Sequence, residues 1–253
     1  MTGSPAITTD GLTKRYGETT AVADLALQVP AGVVYGFLGP NGAGKTTTMR
    51  MLTGLVEPSD GRAEVAGVDS SDRRRIVDRI GLLPEEPPLY DELTGREQLA
   101  FAADLRDLAF DDVADRALGL CEELDLRGDL DRRVDGYSKG MRQKTAFVQA
   151  VQHDPAVVFL DEPTSGLDPR AAKTLRELIV DLAAGDTTVF LSTHILPVVE
   201  EIADRVGVLH DGRLVAEGPP DDLVGSVQSE GDADLEDAFL ALTSEPEEVY
   251  AAE

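Results

Sequence analysis

The sequence predicts an α/β fold, a mainly parallel β-sheet covered by helices and interrupted near its middle by a helical insertion. Three observations carry this expectation. VVYGFL (33–38), AVVFL (156–160), TTVFLS (187–192) and VGVLH (206–210) are short, nearly continuous apolar runs, the character of strands buried on both faces. Segments of helical period separate the later runs, as parallel crossovers require. Between Pro84 and His153 strand-like runs give way to three segments with helical spacing.

Taken in order, AITTDGL (6–12) and AVADLALQV (21–29) read as strands before VVYGFL. Glycines break the pattern, and a helix is expected from Lys45 to about Leu55. RAEVAG (62–67) is a short strand, SSDRRRIVDRI (70–80) a helix capped by Ser70 or Ser71, and IGLL (80–83) a strand ending at Pro84. EEPPLYDEL (85–93) is a rigid polar loop. Helical spacing then appears in 95–108, 111–126 and 139–153, and after AVVFL in 170–184 and 196–204. GRLVAEG (212–218) suits an edge strand. The expected organisation is one body over 1–226, with the helical subdomain at about 85–153, and an acidic tail, 227–253, holding a short amphipathic helix, LEDAFLALT (235–243).

With 42% hydrophobic residues in 253, the chain can bury a core, whereas no apolar run approaches the ~18 residues of a membrane span. The amino terminus lacks a charged-then-apolar leader, so a cytosolic protein is expected. The single cysteine, Cys121, excludes an internal disulfide and a cysteine-based zinc site, and is read as a small apolar residue buried in a helix. A net charge of −25 argues against nucleic acid as a partner, because phosphate backbones require clustered cations. The lysines are only Lys14, Lys45, Lys139, Lys144 and Lys173. An acidic, lysine-poor chain is expected of a halophilic source, where concentrated salt screens self-repulsion.

GPNGAGKTT, Gly39 to Thr47, follows a buried strand, opens a helix and fits G-x-x-x-x-G-K-[ST] without a mismatch. Gly39, Gly42 and Gly44 let successive N–H groups turn inward around an anion, and the helix start adds its own donors. Pro40, Asn41, Ala43 and Thr47 complete the loop. Lys45 is expected at the β- and γ-phosphates of ATP and the Thr46 hydroxyl on Mg²⁺. Asp161 and Glu162 end an apolar strand, where a parallel sheet offers its ligand crevice. Asp161 fits the Mg²⁺ shell, and Glu162 is placed to polarise the attacking water. His194, after another such strand, is a donor to the γ-phosphate, whereas His153 and His210 are read as structural.

The order KRYG, phosphate loop, LLPEE, YSKGM, VVFLDEP, SGLD, STH resembles the ATP-binding subunit of ABC transporters from about Ile7 to Ser226. The resemblance implies a P-loop ATPase fold with an antiparallel β region before the parallel core. It implies that Tyr16 stacks on adenine and that Asp168 lies at a subunit interface. It makes YSKGM the signature loop, usually Leu-Ser-Gly-Gly-Gln, so that Ser138, Lys139, Gly140 and Met141 complete the ATP site of a second, head-to-tail subunit. Lys139, where the family often has glycine, would then bring a positive charge near the partner's γ-phosphate. Glu85 stands where the family usually has a glutamine that touches Mg²⁺ and the attacking water; a carboxylate keeps an oxygen for the metal but loses the amide donor. LEDAFLALT resembles the tail of the subgroup that pairs with ABC-2 type exporter permeases. The implied protein is an ATP hydrolase at the cytoplasmic face of the membrane, a dimer that the complete motif set permits to be a homodimer while a heterodimer stays open, driving a separate permease through its helical insertion and the 85–90 loop. Two rivals stand beside it. A non-transport ABC ATPase acting on DNA or ribosomes typically carries long coiled coils or two ATPase units, and neither is visible; a regulator without turnover would need a disabled acid pair.

Overall fold

The computed structural model describes residues 4–225 and 234–244. An antiparallel sheet comes first, from β1 (Ile7–Tyr16), β2 (Thr19–Leu25) and β3 (Gln28–Val29), the last two both pairing with β1. β4 (Val34–Leu38) leads into α1 (Lys45–Leu52), and the chain returns to the first sheet through β5 (Asp60–Val65) and β6 (Val68–Asp69). Next come α2 (Arg73–Ile76) and β7 (Ile80–Leu83), then the helical insertion of α3 (Gly95–Asp104), α4 (Phe110–Glu123) and α5 (Lys139–Val151). The chain re-enters the main sheet with β8 (Val157–Asp161), α6 (Pro169–Ala184), β9 (Thr188–Ser192), α7 (Leu196–Ile202) and β10 (Arg205–His210). β11 (Arg213–Gly218), α8 (Pro220–Gly225) and α9 (Leu235–Thr243) complete it.

The main sheet runs β11-β10-β4-β9-β8-β7, parallel throughout except for the antiparallel edge strand β11. Its three central strands, β4, β9 and β8, are buried at every position, which is why they read as continuous apolar runs. Successive side chains still alternate between faces. Val158, Leu160, Val189 and Leu191 pack with the helical side, including Phe147 of α5 and Leu175 and Ile179 of α6. Tyr35, Phe37, Val157, Phe159 and Phe190 pack with α1 and the antiparallel sheet. Phe190 is the hub of this second layer, with ring centroids 5.4, 5.0 and 5.5 Å from Tyr35, Phe37 and Phe159. Truncating so buried a ring to alanine costs about 3–5 kcal/mol.

Three local expectations need correction. The 70–80 segment forms only the four-residue α2, capped by Asp72, whose carboxylate accepts from the Arg75 N–H. Both serines are otherwise engaged: Ser70 is buried with its N–H on Ala63 O, and the Ser71 hydroxyl donates to Asp69. Helix α1 stops at Leu52, because Gly54 enters the left-handed region (φ 68°) and Leu55 N–H returns to Arg50 O. AVADLALQV is two strands, β2 ending at Leu25 and β3 starting at Gln28, and Asp24 near the end of β2 takes a positive φ of 54°.

Cys121 is fully buried in α4, and burial pushes its thiol up to about 11. His153 Nε2 donates to Ile80 O at 3.0 Å, a structural contact. Leu235 and Ala238 of α9 are buried, Leu235 in a cluster with Leu38 and Val199, so this helix packs onto α7, α8 and β10. The remaining tail positions, 226–233 and 245–253, lie outside the described residues. Among the described residues no helix is long and apolar enough to cross a membrane.

Candidate active site

Strand β9 has β4 on one side and β8 on the other, and all three end at the same edge. The register pairs Ser192 with Phe37 and with Asp161, so the glycine loop after β4, the acid pair at the end of β8 and Thr193–His194 after β9 meet there. They enclose a cavity of about 380 Å³ lined by Gly39, Pro40, Asn41, Lys45, Thr46, Glu85, Asp161, Glu162, Thr193 and His194, with Leu38, Leu196 and Phe239 as its apolar wall.

The loop shape is set by glycine. Gly44 has φ 106°, and a Cβ there would fall 2.4 Å from Ala21 O. The chain can pass only without a side chain. Lys45 Nζ donates to Gly39 O at 2.6 Å and Pro40 O at 3.2 Å, folding the ammonium over its own loop. Burial lowers its pKa, while Glu162, Asp161 and Glu85 oppose that shift. Thr46 Oγ1 lies 3.4 Å from Asp161 Oδ2. The Asp161 carboxyl is pushed above the usual carboxylate range, by burial first and further by the charges of Glu162 and Glu85.

Glu162 is the most constrained residue of the set. Its φ of 49° is left-handed, an uncommon state for a residue with a side chain, and its N–H is fixed on Ser192 O at 2.8 Å. Both carboxylate oxygens are engaged. Oε1 accepts the His194 N–H at 2.9 Å and lies 2.7 Å from His194 Nδ1, while Oε2 accepts the Thr193 hydroxyl at 2.9 Å. From the other side, the buried Gln143 donates to Glu162 O and Pro163 O, each at 3.2 Å.

The chemistry of these donors fits a phosphate ester carried with a divalent cation. An anion entering beside three carboxylates and one lysine needs a counter-cation. The Thr46 hydroxyl and the Asp161 carboxylate are hard oxygen donors suited to Mg²⁺. Among the described residues no group of three or more His, Cys, Asp or Glu side chains is placed to hold a metal ion by itself.

Other expected site residues stand elsewhere. Tyr16 lies at the end of β1, half exposed, with Lys14 Nζ 5.2 Å from its ring centre, and does not line the cavity. Gly42, Ala43, Gly44 and Thr47 build the loop behind its lining. Ser138 caps α5, its hydroxyl accepting Met141 N–H at 3.2 Å, and residues 138–141 stand outside the cavity of their own chain. Lys139 Nζ donates to Ser165 Oγ at 3.0 Å. Asp168 caps α6, and the N–H groups of Ala171 and Arg170 hold its carboxyl below the usual range. Sequence reasoning missed Thr193, Gln143 and Phe239. The STH triplet was a signal for Thr193; contacts of Gln143 with the 162–163 turn and of Phe239 with the cavity arise only from the fold.

The ABC transporter family model matches residues 22–165. The chain belongs to this family. As an ABC transporter ATP-binding protein it is an ATP hydrolase, and its ABC ATPase domain binds ATP. The chain is 41% identical to the bacitracin transport ATP-binding protein BcrA of Bacillus licheniformis, over 87% of this chain and 72% of the relative. It is 43% identical to the daunorubicin resistance ATP-binding protein DrrA3 of Streptomyces coeruleorubidus, over 86% and 69%. Among solved structures, an ATP-binding subunit of an ABC transporter superposes with TM-score 0.88 at 32% identity, covering 94% of this chain and 100% of that one. The α/β fold of this ABC ATPase, with its parallel core and antiparallel region, is thus shared with that structure.

Proposed function

We propose that this ABC ATPase pairs with a second copy around two ATP molecules and drives export through a separate permease of the ABC-2 type, at the cytoplasmic face of the membrane. The observation that carries the reading is the convergence of β4, β8 and β9, which sets Lys45, Thr46, Asp161, Glu162 and His194 on one cavity. In this reading Lys45 leaves its loop carbonyls for the ATP phosphates. Thr46, Asp161 and Glu85 would hold Mg²⁺, which would neutralise charge on the phosphate oxygens. Glu162 accepts the proton of the attacking water, and His194 places it and donates to the γ-phosphate. Tyr16 offers a ring for adenine.

The signature loop supports pairing. Ser138–Met141 stands outside the cavity of its own chain, yet it presents a capped helix start suited to an anion. On a head-to-tail partner it supplies what one chain lacks, with Asp168 beside the shared boundary. Transport is supported by the relatives, named for bacitracin transport and daunorubicin resistance. Two features support contact with a permease. The 85–90 loop is tied to the helical insertion through Tyr90 N–H on Gln98 Oε1 and Gln98 on Gln149, both 2.9 Å, and through the Arg142–Asp91 ion pair. Beside it lies a groove of about 500 Å³ in which Leu55, Val77 and Leu82 alternate with Arg73, Arg74 and Arg106, cationic in a chain of net charge −25. The acidic, lysine-poor composition supports work in concentrated salt.

The decisive test is hydrolysis rate against protein concentration. Pairing predicts a rate that rises more steeply than linearly, and a Ser138→Phe chain that binds ATP as a monomer but no longer hydrolyses it. A strictly linear rate, untouched by Ser138→Phe, would end the paired-site reading.

A further inference from the structure

Lys139 occupies a position where the family pattern often has glycine, and its exposed side chain lies against its own chain. The ammonium donates to Ser165 Oγ at 3.0 Å. Its aliphatic stem lies on Gly166: a Cβ there would approach Lys139 Cδ at 2.7 Å, Cγ at 2.8 Å and Cε at 3.0 Å. Gly166 also takes φ +75°, a left-handed conformation that favours glycine whatever the lysine stem does. Gly140, next along, would bring a Cβ to 3.1 Å from Gly166 O. The first turn of α5 and the turn after Glu162 are therefore in close contact.

That turn begins at Glu162. Ser165 N–H bonds Glu162 O at 3.0 Å and Leu167 N–H bonds Thr164 O at 3.2 Å, so Ser165 and Glu162 belong to one hydrogen-bonded unit. One helical turn beyond Lys139, the buried Gln143 grips the same unit from its other end, at Glu162 O and Pro163 O. Among the described residues, glycine at 139 would leave Gln143 as the only hydrogen-bonding side chain from α5 to this turn.

We infer that Lys139 is a positioning residue: it straps the start of α5 to the Glu162 turn of the same chain, linking the surface that receives the partner's ATP to the residue that acts on the chain's own. This rests on the paired reading above. It replaces the expectation that Lys139 reaches toward the partner's γ-phosphate. The consequence is cooperativity between the two sites, because displacement of the α5 start by a partner's nucleotide is transmitted through Ser165 to Glu162.

The test is a double-mutant cycle in the full chain. Lys139→Met keeps the stem and removes the donor; Ser165→Ala removes the acceptor. Each is expected to lower kcat about threefold to tenfold, the worth of one ordinary exposed hydrogen bond, and to bring the Hill coefficient for ATP toward unity. The double variant should lose no more than either single one, and Lys139→Arg should restore most of the rate. ATP-driven dimerisation, read in a Glu162→Gln background, should be unchanged by either substitution. Multiplying effects, or Lys139→Met alone weakening ATP-driven pairing, would mean that the ammonium acts on the partner's phosphate and would overturn the strap. Unchanged kcat and Hill coefficient in both single variants would overturn it as well. Failure of the paired reading looks different: the Glu162→Gln chain would not dimerise with ATP even before Lys139 or Ser165 is altered.

Discussion

His194 Nδ1 lies 2.7 Å from Glu162 Oε1, and the His194 N–H reaches the same oxygen at 2.9 Å, so one residue holds the carboxylate through both ring and backbone. Thr193 takes the other oxygen at 2.9 Å. The carboxylate is therefore aimed by the end of β9 and not by its own strand. Glu162→Gln keeps the shape and removes the proton acceptor; phosphate release should fall by about 10²–10⁴-fold with ATP binding retained. His194→Ala leaves the backbone donor in place and should lower kcat with a smaller effect on KM. A Glu162→Gln chain that releases phosphate at the parental rate would remove Glu162 from the mechanism.

Glu85 acts on Asp161 through charge. Burial raises the Asp161 carboxyl, and Glu162 and Glu85 raise it further. On the proposed reading Asp161 holds Mg²⁺ only when ionised, so its pKa would contribute to the acid limb of hydrolysis. Removing one negative neighbour lowers that pKa. Glu85→Gln should retain ATPase activity and move the acid limb to lower pH, read from a pH–rate profile at saturating Mg²⁺. Complete loss of activity would show that the carboxylate has a role of its own.

The elements of the site were legible where burial leaves a one-dimensional trace. β4, β8 and β9 are buried on both faces, so their residues form apolar runs, and each run leads into the site, at Leu38, Asp161 and Thr193. The glycine loop was legible because its backbone forbids alternatives at Gly44. What escaped depends on contacts across the fold. Thr193 and Glu162 are 31 positions apart and Gln143 and Glu162 19, and no local pattern marks either pairing. Phe239 reaches the cavity wall only because α9 packs against α7 and β10. Lys139 read as a free charge for the same reason: its acceptor, Ser165, is 26 positions away.

His153 gives the fold an acid-sensitive point. Nε2 donates to Ile80 O, Nδ1 is buried without a partner among the described residues, and burial, helped by Arg106, lowers its pKa from 6.5 to about 4. The folded chain thus holds it neutral, while the unfolded chain takes up a proton first as pH falls. Its contribution is complete above pH 6.5 and is lost as pH falls toward about 4, on the order of 3 kcal/mol. His153→Gln can keep the donor to Ile80 O without the titration. Urea midpoints should fall less steeply between these pH values in the variant than in the parent; equal slopes would place the acid sensitivity elsewhere.

Salt acts on this chain with two opposed signs. Exposed ion pairs such as Arg62–Asp10, 77% exposed on both sides, and Arg96–Asp131 weaken as salt rises, but such pairs are worth about 0–1 kcal/mol each. Against them stand 48 acidic residues and only 23 Lys and Arg, whose net repulsion weakens as well. Relief of the repulsion outweighs loss of the pairs, because it reaches every acidic residue without a cationic neighbour, while the pairs lose only the small energies they held. KCl should therefore raise the urea midpoint, with most of the gain complete by about 1 M, where the Debye length is ~3 Å. A midpoint that is flat or falls with KCl would show that the pairs outweigh the repulsion and would remove the physical basis for reading this composition as an adaptation to concentrated salt.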